Sequence, residues 1–186
     1  MREEVEKAME IIRNGGVILY PTDTIWGLGC DATNETAVQK VYRIKKRADS
    51  KSMLILLDSE GRLPSYVKEI PEVAWELLEA ADSPLTIIYP GAKNIASGLI
   101  ADDGSVGIRI TTDPFCRELI NRIKKPLVST SANISGEQAP ALFSEISDQI
   151  ISSADYVVKW RQDDTVKSKA SSIIKLGPGG VFTIIR

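Results

Sequence analysis

Hydrophobic positions along this chain recur with two alternating periods. In residues 2–13, Val5, Ala8, Met9 and Ile12 fall on one helical face with charges opposite. Gly15-Gly16 stops that helix. Val17-Ile18-Leu19-Tyr20 is then a short apolar strand, closed by Pro21. A second helix opens at Thr33 or Asn34, both good caps, with Glu35 in its first turn, and runs through Val38, Val41 and Tyr42 into Lys45. Residues 53–57 read as a buried strand, and 71–81 as a helix with Pro71 in its first turn. Residues 85–89 and 105–111 read as strands. Asp113-Pro114 opens a helix whose apolar face is Phe115, Leu119, Ile120 and Ile123. A strand at 126–130, a helix at 143–152 and strands at 156–159, 171–176 and 181–185 complete the pattern. Gly177-Pro178-Gly179-Gly180 reads as the turn of a terminal hairpin. Alternating strands and helices predict an α/β domain with helices covering a sheet. The run of strands near the C-terminus predicts a mixed rather than purely parallel sheet.

Composition narrows the chemistry more than the fold. The 186 residues predict one domain, spanning 1–186. There is no histidine, which removes Ser-His-Asp and Cys-His nucleophile pairs and every His-containing zinc site. Cys30 and Cys116 are far apart and form no CxxC pair, so a Cys-rich metal site and a disulfide framework are excluded, and no metal-ligating residue is assigned. They read as two buried thiols, although one bridge is arithmetically allowed. The formal charge of −2 excludes a basic nucleic-acid coat, so any polyanion must meet a local basic patch. The first residues alternate charges with apolar positions and lack an apolar signal-peptide core. No apolar run approaches the ~18 residues that span a bilayer. The cytoplasm is the expected compartment, with no membrane partner.

Three polar segments interrupt the apolar scaffold. Pro21-Thr22-Asp23-Thr24-Ile25-Trp26-Gly27-Leu28-Gly29 sets hydroxyls and a carboxylate in a turn after a strand. It is either an ordinary strand-to-helix loop or a polar lip for a small hydroxylated or amino-acid ligand. Arg43-Ile44-Lys45-Lys46-Arg47-Ala48-Asp49-Ser50-Lys51 gathers five positive charges at a helix C-terminus. Cations suit that end of the helix dipole, and such a cluster can equally hold phosphates. Ser129-Thr130-Ser131-Ala132-Asn133-Ile134-Ser135-Gly136 crowds small donors at a strand end, either as a capped turn or as an anion nest. One shared site accounts for all three more simply than three unrelated loops. Neither a P-loop nor a GxGxxG helix start is present.

Together these segments resemble the YrdC-like family, the threonylcarbamoyl-AMP synthases of the single-domain TsaC type. The resemblance rests on PTDTIWGLG at 21–29, IKKR at 44–47 and STSANISG at 129–136, in collinear order. Pro84-Leu85-Thr86, Gly107-Ile108-Arg109 and Ser171-Ser172-Ile173-Ile174 add to it. It implies a YrdC/RibB-like twisted mixed sheet flanked by helices, with a concave positively charged pocket. It also implies a reaction in which L-threonine, bicarbonate and ATP, carried with Mg²⁺, give threonylcarbamoyl-AMP and pyrophosphate. A partner enzyme then transfers the threonylcarbamoyl group to tRNA, and weak tRNA or double-stranded RNA binding is a further expectation.

By the same resemblance, Lys45 and Arg47 form a KxR element at the reacting anions. Ser131 and Asn133 form an SxN element on ATP, joined there by Arg47, Lys51 and Ser105. Thr24, Arg109 and Ser171 are implied at threonine. The chemistry suits a histidine-free chain, because a carbamate attacking a phosphate needs fixed cations and donors to offset repulsion. The chain departs from the family pattern at Trp26, where many relatives have Tyr, at Ala48 after the KxR arginine, and at Ser52-Met53. Leu56 stands where some relatives carry a histidine, and 81–86 read ADSPLT rather than WPGPLT. Two other readings remain: a non-catalytic RNA-binding or translation-associated protein on this fold, and a carbamoyl-adenylate enzyme with a different acceptor.

Overall fold

The computed structural model describes residues 1–46 and 53–186. In chain order the elements begin with α1 (Arg2–Arg13), β1 (Ile18–Tyr20), β2 (Gly27–Gly29), α2 (Glu35–Lys45) and β3 (Leu54–Leu57). They continue with α3 (Leu63–Tyr66), α4 (Glu72–Ala80), β4 (Leu85–Tyr89), β5 (Val106–Ile110), α5 (Pro114–Ile123) and β6 (Leu127–Ser131). The last are α6 (Asp148–Ser153), β7 (Tyr156–Val157), β8 (Ser172–Leu176) and β9 (Phe182–Ile184). The strands order β7-β1-β2-β6-β3-β5-β4-β8-β9 in one mixed sheet. β1–β7, β3–β5 and β4–β8 are parallel, and the remaining neighbours are antiparallel.

Local signals explain most boundaries. Asn34 caps α2 by accepting from the Ala37 amide at 3.1 Å, and Lys46 ends the helix in the left-handed region. Asp113 caps α5 through the Cys116 amide at 2.9 Å, with Pro114 at the first helical position. The Gly177–Gly180 stretch joins β8 to β9 as expected. Both cysteines are buried free thiols.

Two readings of the sequence need correction. Residues 27–29 are a strand, not loop; Gly-Leu-Gly has little strand propensity, and only its neighbours β1 and β6 hold it extended. The helix expected over 143–152 is a 3-10 turn at Phe143–Glu145 followed by α6. There Ile146 and Ser147 are extended, while Glu145 folds back to accept from the Ala141 and Leu142 amides at 2.8 and 3.2 Å.

Strand alternation divides the core between the two sheet faces. Ile18, Tyr20, Leu56 and Leu127 face α1 and α5, packing with Val5, Phe115, Leu119 and Ile120. Leu19, Leu28, Ile55, Leu57, Val128, Ile87 and Ile108 face the other way, into the larger core that includes Val38, Val41 and Tyr42 of α2. α1 and α5 cover only one end of their face. Among the described residues no helix covers the rest of it, over β5, β4 and β8.

β2 must approach its neighbours closely. A Cβ on Gly29 would lie 2.2 Å from the Val128 carbonyl oxygen and 2.7 Å from the Tyr20 ring. The Tyr20 hydroxyl crosses this gap to donate to that carbonyl at 2.9 Å. Neither contact can yield, so Gly29→Ala should destabilise the fold by about 3 kcal/mol, the upper end for overpacking a tight core. Urea unfolding checks this, and an unchanged midpoint would show that β2 can shift.

Candidate active site

The uncovered part of the sheet face is the floor of a cleft of about 660 Å³, within the usual size for small-molecule sites. Strand periodicity aims its floor: Gly107 and Arg109 on β5 with Ser105 just before it, Thr86 and Ile88 on β4, and Ile173 and Lys175 on β8 with Ser171 just before it. Ser129 and Ser131 of β6 form one wall, and Thr24, Ile25 and Trp26 form the lip. The Trp26 ring is fixed by a tilted contact with Phe143, at 4.9 Å between centroids.

Arg109 is the most constrained group there. Its side chain is 3% exposed, and its Nη2 lies 3.1 Å from Asp23 Oδ1 in an ion pair. Neither Nε nor Nη2 has a hydrogen-bond partner of good geometry. The other Asp23 oxygen accepts from the Thr111 hydroxyl and the Thr112 amide, each at 3.2 Å. A buried guanidinium that lines a cleft and keeps an unfilled donor suits a carboxylate.

Proton inventory assigns a role to Thr24. The Thr22 hydroxyl donates to the Ile25 carbonyl at 2.8 Å and accepts from the Thr24 amide at 2.9 Å. The Thr24 hydroxyl, 2.9 Å away, must then give its own proton to Thr22. Its lone pairs remain to accept from an ammonium or amine. Across the cleft, the Ser171 and Thr86 hydroxyls share a hydrogen bond at 2.8 Å. Arg186 donates from Nε and Nη2 to the Ser171 carbonyl at 3.1 and 3.0 Å.

The structure therefore gathers Thr24, Ser105, Arg109, Ser131 and Ser171 around one cleft. Lys45 and Asn133 are not among its lining residues; they brace its wall. The Lys45 ammonium, 1% exposed, donates to the carbonyls of Ser131 and of Asn133, the latter at 2.7 Å. The Asn133 amide nitrogen holds the Ile134 and Glu137 carbonyls at 2.9 and 2.8 Å, leaving its buried oxygen without a partner. Arg47 and Lys51 lie outside the described residues. Sequence reasoning missed Lys175 and Arg186, which line the cleft with Asp102 and Asp103. Continuing the alternation from Ser171 through Ile173 would have found Lys175. Among the described residues, no group of His, Cys, Asp or Glu could hold a metal ion, and no helix is long and apolar enough to cross a membrane.

The Sua5/YciO/YrdC family, described as "Telomere recombination", matches residues 10–186, and the chain belongs to it. A threonylcarbamoyl-AMP synthase of Pseudoalteromonas translucida is 33% identical over 157 residues, which are 83% of this chain and 84% of that protein. A doubly substituted variant of P. abyssi Sua5 superposes with a TM-score of 0.87 at 25% identity, covering 98% of this chain. The match takes in 55% of Sua5, so this chain spans about half the length of that relative. A second structure of that protein, complexed with L-threonine, gives 0.85 at 24% identity over 98% of this chain and 53% of Sua5. E. coli YciO gives 0.86 at 24% identity over 100% of this chain and 89% of its own.

Asp103 forms an ion pair with Lys175 at the cleft, both half exposed to water. Hydrogen bonds from Lys175, and from the Ser105 hydroxyl and amide, hold its carboxyl down at about 2. A folded value below the unfolded one of about 3.9 means the pairing supports the fold above that pH. The support is lost as pH falls through about 2. Carboxyl NMR titration should show Lys175→Met moving Asp103 back toward the ordinary range. Identical titrations in both proteins would remove Lys175 as the cause.

Proposed function

We propose that this chain is a threonylcarbamoyl-AMP synthase, acting in the cytoplasm as a single YrdC-like unit over residues 1–186. It joins L-threonine, bicarbonate and ATP into threonylcarbamoyl-AMP and pyrophosphate. The observation that carries the reading is the buried Arg109 guanidinium, paired with Asp23 and lining one cleft with Thr24 and Ser171. A free amino acid presents a carboxylate and an amine a few ångströms apart. Arg109 supplies donors for the first, and the oriented Thr24 oxygen supplies an acceptor for the second. Family membership and the product in the name of the Pseudoalteromonas relative support the same assignment.

The threonine amine adds to bicarbonate, losing water, to give a carbamate. A carbamate oxygen attacks the α-phosphorus of ATP, and pyrophosphate leaves. Attacking and leaving groups are all anionic, so the barrier is largely charge repulsion. The lining cations Arg109, Lys175 and Arg186, with Arg47 and Lys51 expected to join them, offset it. Ser131, Asn133 and Ser105 are the proposed ATP contacts, and Ser171 a second threonine contact. Lys45 polarises and fixes the Ser131–Asn133 backbone, so its charge acts on ATP through that wall. Mg²⁺ would arrive on the nucleotide phosphates as part of the substrate and shield their charge. A transferring partner enzyme, with tRNA as final acceptor, would consume the reactive mixed anhydride.

Mass spectrometry on the purified chain should find threonylcarbamoyl-AMP and pyrophosphate only when L-threonine, bicarbonate and Mg-ATP are all present. Arg109→Met, with Asp23→Asn to avoid stranding a buried carboxylate, should raise the KM for threonine roughly 10–100-fold, the loss of a charged hydrogen-bond set. A threonine KM unchanged in that double variant would sink the role given to Arg109. Omission of threonine without effect would sink the substrate.

A further inference from the structure

The segment after β7 crosses the sheet from the β7 end toward β8, reaching the cleft at Ala170 and Ser171. Arg161 in this strap adopts a left-handed backbone, φ 65°, uncommon for a side chain of its size. Its contacts account for holding it there. Nη1 donates to the Thr22 carbonyl at 3.1 Å and to Asp113 Oδ2 at 2.9 Å, and Nε donates to Asp164 Oδ2 at 2.6 Å.

Both targets of Nη1 lead to the cleft. From Asp113, the amide donates to the Thr111 hydroxyl, which donates to Asp23 Oδ2, each at 3.2 Å. Asp23 Oδ1 then pairs with Arg109 at 3.1 Å. From Thr22, the side chain fixes the proton of Thr24. Asp113 is buried, and burial holds its carboxyl above the usual range, so an opposing cation matters to it. One guanidinium thus closes two chains of polar contacts, one ending in the Asp23–Arg109 ion pair and the other in the Thr22–Thr24 hydrogen bond.

We propose that Arg161 is a positioning residue for the amino-acid half of the site: the strap uses it to lock the 21–24 turn and the start of α5 so that Thr24 and Arg109 converge. This rests on the synthase reading above. Arg161 itself is not among the cleft-lining residues. Its loss therefore acts on amino-acid affinity through geometry, and leaves the ATP wall formed by Ser131, Asn133 and Lys45 in place. A lysine could meet either Asp113 or Thr22, but its point charge cannot span both and Asp164.

The test is steady-state pyrophosphate release by wild type, Arg161→Met, Arg161→Lys and Asp164→Asn, varying threonine and ATP separately, with thermal melts of each. Arg161→Met should raise the threonine KM roughly tenfold, the cost of a small displacement in a positioned site. The ATP KM and kcat should change by less than about twofold, since uniform binding alone is lost. Arg161→Lys should recover part of the loss, and Asp164→Asn should shift the threonine KM in the same direction by less. A threonine KM unmoved in Arg161→Met overturns the proposal, as does an equal rise in both KM values without lysine rescue. Should Arg161→Met melt below the assay temperature, the other two variants decide on the same criterion. Wild type that releases no threonine-dependent pyrophosphate overturns the functional reading itself, a result distinct from active wild type with an unaffected variant.

Discussion

The ion pair between Arg109 and Asp23 is the constraint around which this cleft is built. Both charges are nearly withdrawn from water, at 3% and 6% side-chain exposure. Removing one partner of such a pair typically costs about 3–5 kcal/mol, because the other is left buried and unpaired. The surrounding backbone must therefore keep them together. Thr111 and Thr112, at the end of β5, bind the free side of Asp23. Asp113 couples the same turn to the start of α5. Functional polarity and local stability thus depend on one set of contacts.

The cleft exists because coverage of one sheet face stops short. α1 and α5 seal the β1 side of it, and the strands beyond carry serine, threonine, glycine and charge where a helix would need apolar partners. Gly107 keeps that floor low: a Cβ there would stand 3.4 Å from Leu54 and 3.5 Å from Thr86. At the β6 wall the same economy of space appears in β2, whose glycines let the Tyr20 ring lie across them to reach Val128.

The two halves of the site have different supports. The side that carries Thr24 and Arg109 is held by a network of side chains running from Arg161 to Arg109. The wall opposite is held from α2, where Lys45 binds the Ser131 and Asn133 carbonyls by its side chain and the Ser135 amide by its own carbonyl, at 2.8 Å. One fixed lysine so joins a helix C-terminus to a turn of small residues. On the assignment proposed above, distinct supports let a change at one side alter affinity for one substrate alone.

Much of this was legible before any coordinates. Helix periodicity and caps gave α1, α2 and α5 to within a residue or two, and alternation with apolar runs gave the mixed sheet. Clustered hydroxyls and cations, read with the family resemblance, singled out Thr24, Ser105, Arg109, Ser131 and Ser171, which do line one cleft. These features are local, set by propensity, capping and short-range pattern. The strand at 27–29 was not legible, because its extended form comes from β1 and β6 rather than from Gly-Leu-Gly itself. Nor was the burial of Lys45, the pairing of Asp23 with Arg109, or the reach of Arg161 and Arg186 into the same region. Those depend on which distant segments pack together, and contacts across 86 or 139 positions of chain leave no periodic trace in the residues between. The sequence by itself determined most of the elements and the chemical inventory, because caps and periodicity are local, while tertiary packing decided the 27–29 strand, which charges are withdrawn from water and which donors are left to meet a substrate.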